Sequence, residues 1–235
     1  LIYKLKEIHS AELFLYDVAE NHADGMKNYA QVNILSESSA ALINLKVDAV
    51  FMFTGKTGSA NGFDEPDIFN DVNEKSLLHL LNEYRKQNSR AKIIFPSTRL
   101  IYSENQNARE NDAGKLRTIY AVNKFACEKY LEIYHDVFNI NYVVFRICIP
   151  YGTIIDGASS YGTAEFMLTR ARAGENISLF GDGEARRTLT HIEDLCEALI
   201  LGAECPECVN GVFNLGGENY SLREMAEAVA KKYNV

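Results

Sequence analysis

Positive charge is scarce in this chain of 235 residues: 24 lysines and arginines face 32 aspartates and glutamates, for a formal net charge of −8. No basic face is on offer, which argues against nucleic acid or an anionic membrane surface as a bulk partner. Any phosphate the protein holds has to be held by a few placed side chains and backbone N–H groups. Long apolar runs are missing too. None approaches the roughly 18 residues of a membrane span, and the opening residues lack the pattern of a secretory signal. Cysteine is present without a framework. Cys127, Cys148, Cys196, Cys205 and Cys208 are an odd number at irregular spacing, which suits a reducing compartment, so the expected location is cytoplasmic. The lone CPEC of residues 205–208 could be redox-active or half of a zinc site. No second CxxC or HxxxH accompanies it, and a surface turn is the favoured reading. Repeats and low-complexity tracts are absent.

What is there is material for a core. At 47% hydrophobic and 24% charged residues, the chain can build one large domain, or one domain with a small companion. Short apolar runs alternate with helical patterns. "ELFLYD" reads as a strand ending in Asp17, and "VDAVFMFTG" as a strand ending at Thr54 and Gly55. "IFNDVNEKSLLHLLNEYRKQ" has helical spacing, "AKIIFPST" is a strand ending at Ser97 and Thr98, and "TIYAVNKFACEKYL" is an amphipathic helix. "INYVVFRICIPYG" is a further strand that breaks at Pro150, Tyr151 and Gly152. This alternation predicts an α/β fold with βαβ units and a parallel sheet, which binds ligands at the carboxyl ends of its strands. Asp17, Thr54, Gly55, Ser97, Thr98, Pro150 and Tyr151 therefore share an expected address. After residue 152 the texture changes, and a helix capped by Ser221 closes the chain. The expected division is a nucleotide-binding domain over 1–150, with 188–204 returning to it. A smaller substrate-binding lobe takes 151–187 and 205–235 and is expected to be incomplete at its C-terminus. Such a domain normally opens with a strand and a glycine-rich turn. This chain opens in the helix-like "LIYKLKEI", so that strand and loop are expected to be missing from it.

Tyr120 and Lys124, four residues apart, stack a phenol and an ammonium on one side of a helical turn. With 13 tyrosines in the chain, about one YxxxK match is expected by chance. Its company makes it informative: "IIFPSTRLIY" lies upstream, and "FRICIPYG" and "GDGEARRTLTHIEDLCEAL" lie downstream. In that order the chain resembles, over nearly its whole length, the extended short-chain dehydrogenase/reductase family, in particular its NAD-dependent nucleotide-sugar epimerases and dehydratases, UDP-glucose 4-epimerases among them. The resemblance implies a Rossmann-like doubly wound sheet, NAD as cofactor, a nucleotide-sugar substrate and a homodimer. In the dimer, helices near 71–87 and 118–136 of two subunits would form a four-helix bundle. The apolar residues of "LLHLL" and "FACEKYLEIY" fit that, and fit packing on the sheet equally well.

By the same resemblance Tyr120 is the base that removes a sugar hydroxyl proton. Lys124 lowers its pKa and bonds the nicotinamide ribose, and Thr98 orients the reacting hydroxyl. A free phenol, with a pKa near 10, is a poor base at neutral pH. A nearby ammonium and a positive nicotinamide ring favour the phenolate. The bland alternative is a helix-surface aromatic beside a solvated lysine. Asp17 matches the acid on the adenine-ribose hydroxyls, which favours NAD over NADP; a turn or helix cap is its alternative. Asn33 and Ile34 match a pair flanking the adenine, and Thr54 and Gly55 let backbone approach the cofactor. Asn73 aligns with a cofactor-contacting asparagine, or is a polar position in a first helical turn. Arg187 falls where an arginine holds the diphosphate, with Arg186 its competitor. Phe180 is near the position against the base, or is core. Ile149 departs from the asparagine usual before this proline.

The residues after Thr98 bear on the reaction. Sugar 4,6-dehydratases of the family carry Asp-Glu there, decarboxylating relatives keep the glutamate, and the 3,5-epimerase-reductases need a cysteine. Here the pair is Arg99 and Leu100. What remains, Thr98, Tyr120, Lys124 and NAD, implies a nucleotide-sugar 4-epimerase. An NAD-linked reductase, dehydrogenase or dehydratase, and a non-catalytic NAD-binding regulator, are the alternatives.

Overall fold

A computed structural model describes residues 1–20, 28–58, 61–102, 107–112, 114–153, 162–179 and 181–235. In chain order its strands are β1 (Leu15–Asp17), β2 (Tyr29–Gln31), β3 (Ala49–Phe51), β4 (Lys92–Thr98), β5 (Tyr142–Ile147), β6 (Ile149–Tyr151), β7 (Arg186–His191), β8 (Gly211–Leu215) and β9 (Glu218–Ser221). The α-helices are α1 (Glu37–Ala40), α2 (Asn61–Asp64), α3 (Pro66–Asn70), α4 (Ser76–Gln87), α5 (Ile119–Phe138), α6 (Thr163–Arg172), α7 (Ile192–Glu204) and α8 (Leu222–Tyr233). None is long and apolar enough to cross a membrane among the described residues.

The chain divides into two compact units, Leu1–Arg146 with Leu199–Asn214, and Ile147–Ala198 with Leu215–Val235. In the first, β1 pairs with β2 in parallel, setting Asp17 opposite Gln31. β3 pairs with β4 in parallel, and the sheet continues in the order β3-β4-β5-β8. The apolar runs of β4 and β5 are buried almost without interruption, as expected of strands covered on both faces. Leu77, Leu80, Leu81 and Tyr84 fall at i, i+3, i+4 and i+7 of α4 and face the sheet. They share one core with Ile93, Phe95 and Val144, with Cys127 and Leu131 of α5, and with Val32 and Ile34 beyond β2. Leu77, Leu80 and Leu81 of "LLHLL" and the Cys127–Leu131 stripe are therefore spent on this chain's own sheet, each large side chain contributing about 2 kcal/mol of burial. α3 starts on Pro66, the position where a missing N–H costs nothing. Residues Asp71–Lys75 then wind as a π-turn between α3 and α4. α4 and α5 stop at Asn88 and Asn139, both in the left-handed region.

In the second unit β6 runs parallel to β7, and β9 antiparallel to it. Met167, Leu189, Met225 and Ala226 form its core. A capping box between Ser221 and Glu224 starts α8. Sequence alone places the segment returning to the first domain at 188–204; the structure places it at 199–214. β8 joins the sheet of β5, whereas β7 is paired on both sides inside the second unit.

Candidate active site

α5 begins where Thr118 turns its hydroxyl back to accept the backbone N–H of Ala121 at 3.1 Å. That cap starts the helix one residue before Tyr120 and so sets the phenol and Lys124 on one face of its first turns. Lys124 is only 4% exposed. Its Nζ lies 4.5 Å from the centre of the Phe95 ring and 5.9 Å from that of Tyr120. Burial drives its pKa down to about 8, against the opposing pull of Cys127 and Glu128. Burial also raises the pKa of Tyr120. The expected stabilisation of the phenolate draws on the ammonium and a positive nicotinamide ring together, and burial acts against it. In the protein by itself desolvation wins at both groups. Thr98 ends β4, buried, with its hydroxyl oxygen accepting the N–H of Leu100 at 3.2 Å. That bond leaves the hydroxyl proton available to donate elsewhere.

The exit of β3 meets the same spot. A Cβ on Gly55 would lie 3.1 Å from Asn73 Oδ1 and 3.7 Å from Lys124 Nζ. Asn73 is buried, and its amide closes a two-way bridge to the backbone of Lys56. Oδ1 accepts the N–H at 2.9 Å and Nδ2 donates to the carbonyl at 3.1 Å. The π-turn leaves the Asn73 carbonyl to accept from the Cys127 thiol at 3.1 Å, a typical use of such a turn near a site. Asn73 thus pins the segment holding Thr54 and Gly55. Asp17 is exposed at the end of β1, one oxygen accepting the N–H of Ala19 at 3.0 Å, which is a turn cap. Asn33 caps a turn by accepting the N–H of Leu35 at 3.0 Å, while the Ile34 side chain belongs to the core.

In the second unit Arg186 is held by Asn219, through Nε at 2.5 Å and Nη2 at 2.7 Å, and by Glu224 at 3.3 Å. Among the described residues the Arg187 side chain bonds, from Nη1, the Arg186 carbonyl at 2.9 Å. Ile149 packs against that unit's core. Phe180 lies outside the described residues. Cys205 and Cys208 are free thiols in the turn after α7.

One group sequence reasoning missed is a buried polar network one turn beyond Lys124. Arg146 forks onto Glu128, Nε to Oε1 at 3.1 Å and Nη2 to Oε2 at 2.6 Å. Ser97 donates to Glu128 as well. Arg146 Nη1 reaches the Tyr102 hydroxyl at 2.5 Å and the Glu110 carbonyl at 2.9 Å. The available signal was a charge inside the apolar run "YVVFRICI", since an arginine buried in a strand needs a partner.

Residues 7–216 match the profile of the NAD dependent epimerase/dehydratase family. The chain belongs to that family. Among its curated relatives is a putative UDP-glucose 4-epimerase of Methanocaldococcus jannaschii, 22% identical over 91% of this chain and 73% of the relative. Another is a dTDP-4-dehydro-6-deoxy-D-allose reductase of Streptomyces bikiniensis, 28% identical over 68% of this chain and 51% of the relative. A solved UDP-glucose 4-epimerase of Thermotoga maritima with UDP-glucose superposes with a TM-score of 0.87 at 24% identity. That match covers 99% of this chain and 78% of the other, and the likeness is one of fold. Members of the family depend on NAD, and the residues at this site fit that cofactor. Gly55 leaves a gap that a Cβ would close against Asn73, and a buried ammonium borders the same gap.

Proposed function

We propose that the protein is a nucleotide-sugar 4-epimerase in which Tyr120 is the base, Lys124 sets its charge state and Thr98 orients the reacting hydroxyl. The cofactor, when bound, accepts and returns a hydride. Asp17 would hold its adenine-ribose hydroxyls, and Asn33 and Ile34 would flank the adenine. The Thr54–Gly55 backbone, braced by Asn73, would approach it, and Lys124 would bond the nicotinamide ribose. Tyr120 takes the proton of the C4 hydroxyl as the carbon is oxidised to a ketone, and gives it back when hydride returns to the other face. Arg187 bonds the diphosphate, for which its guanidinium is less committed than that of Arg186. Burial raises the Tyr120 pKa, and positive charge and hydrogen bonds brought by ligand would act in the opposite direction, towards the phenolate.

The 4-epimerase reading is carried by the pair of residues directly after Thr98. Arg99 and Leu100 occupy a short 3-10 turn, and neither can serve as the acid/base pair of a dehydratase. Purified protein given UDP-galactose should produce UDP-glucose without net NADH. Steady accumulation of NADH, or no interconversion, overturns the assignment. A net reductase is the second reading, favoured by the similarity to the Streptomyces reductase, and the same assay separates the two.

The proposal includes a homodimer through α5. Val122, Ile133 and Val137 are all exposed and, at about 100° per residue, fall within one stripe about 60° wide. Sedimentation at micromolar concentration should give twice the chain mass, and a monomer would remove this part of the proposal.

A further inference from the structure

We propose that the network of Ser97, Glu128, Arg146 and Tyr102 is a positioning device that aims Thr98 and Lys124. The inference rests on the roles assigned to those two residues above. Ser97 and Thr98 are consecutive in β4, so their side chains leave opposite faces of the strand. Anchoring Ser97 to the Glu128 carboxylate at 2.5 Å therefore fixes the direction in which Thr98 points. Glu128 lies four residues beyond Lys124 on the same face of α5, so the bond also sets the register of α5 against the end of β4. Arg146 carries the tie outward. Its Nη1 bonds the Tyr102 hydroxyl, which donates to Asn214 Oδ1 at 2.6 Å at the end of β8. It also bonds the Glu110 carbonyl, while Glu110 Oε1 accepts the N–H of Asn214 at 2.8 Å. One ion pair thus gathers the ends of β4, β5 and β8, the 107–112 segment and the third turn of α5. Arg146 and Glu128 are 5% and 3% exposed. An ion pair buried so deeply is weak evidence of a stabilising role, because desolvation offsets most of its attraction. Its geometric effect is the stronger reason for it, since a reacting group displaced by about 1 Å can lose roughly a hundredfold in rate.

Ser97→Ala removes one tie and leaves the Arg146–Glu128 fork intact; Tyr102→Phe removes another. Each variant of the full-length protein is assayed for UDP-galactose epimerisation, with NAD affinity by calorimetry and thermal unfolding alongside. Ser97→Ala should lower kcat about tenfold or more. KM, the NAD Kd and the fraction folded at the assay temperature should each stay within about twofold of the parent. Tyr102→Phe should show the same split at smaller size. A kcat within twofold of the parent for both variants, or a loss matched by lost folded protein, overturns the proposal. Tyr120→Phe is measured in parallel. If it keeps full turnover, the catalytic reading itself has failed. If it is inactive while Ser97→Ala is fully active, only the positioning role has failed.

Discussion

Lys124→Met should make the NAD-free protein more stable at neutral pH, even though it removes a residue proposed to serve catalysis. Lys124 titrates at about 8 in the fold against 10.5 for a free lysine, mainly because burial penalises the ammonium. Between those two values the unfolded chain holds a proton that the folded chain has released. Stability therefore rises with pH across that window and is lowest below it. Integrating from pH 7 to pH 10 gives about 2.5 kcal/mol that the parent protein gains from this one group. The methionine variant has nothing to titrate there and gains none of it. Urea unfolding of both proteins at the two pH values, followed by circular dichroism, measures the four free energies. The substitution also alters contacts with the Phe95 ring and fills space differently. Those packing changes are common to both pH values and cancel in the difference of differences.

The expected result is a variant more stable than the parent at pH 7, with its advantage shrinking by about 2–3 kcal/mol at pH 10. An advantage that stays equal at both values, or grows with pH, refutes the claim that burial of the charged amine is what this fold bears at Lys124. The physical content is a trade between stability and activity. A lysine whose ammonium is destabilised before ligand arrives stays in place only if bound ligand uses that charge.

The same geometry carries three further outcomes. Gly55→Ala should weaken NAD binding about tenfold by calorimetry, roughly 1.4 kcal/mol, because its Cβ meets Asn73 Oδ1 at 3.1 Å and stands 3.7 Å from Lys124 Nζ; unchanged affinity would remove Gly55 from the cofactor site. Asp17→Ala should weaken NAD binding and improve binding of NADP relative to it, since the carboxylate repels a 2′-phosphate, and an unchanged preference ratio would leave Asp17 as a turn cap alone. Arg187→Ala should raise KM for the nucleotide sugar by about tenfold or more, with thermal stability unchanged. Arg186→Ala should instead act through its exposed ties to Asn219 and Glu224, costing no more than about 1 kcal/mol of stability, and the reverse pattern would exchange the two assignments.

The elements that carry the proposed site were legible where one physical signal dominated. "AKIIFPST" reads as a strand from its short apolar run, which the structure buries, and α5 from its amphipathic spacing, to which the structure adds the Thr118 cap. The strand before Gly55 was less legible. β3 stops at Phe51, and the bond from Met52 N–H to the Ile94 carbonyl at 3.0 Å is followed by irregular chain. The apolar residues Met52 and Phe53 extend the strand pattern past the end of its pairing. The fate of the Asn73 amide was not legible at all. It depends on a π-turn, which shifts every following side chain around the helix and carries no composition signal. Spacing places Tyr120 over Lys124 correctly, because the helix fixes where Cβ atoms lie. It is silent about water, and the removal of water decides the direction of both pKa shifts.

The buried charges show how those two kinds of information combine. Arg146 sits in an apolar strand and Glu128 four residues beyond Lys124, so one sequence signal announces a buried partner and another places a carboxylate on the helix face that carries Lys124. Neither says that the two meet. That meeting comes from β5 and α5 lying against the same sheet end, a consequence of the strand order β3-β4-β5-β8. Topology thus turns two isolated charges into a satisfied fork with Ser97 and Tyr102 attached. Once the fork is made, removing either charge alone would strand the other in a medium where an unpaired ion is far more costly than in water. The pair therefore holds the strand ends in one arrangement whether or not it adds net stability, and rigidity of that kind is what the proposed proton transfer between Tyr120 and a sugar hydroxyl would require.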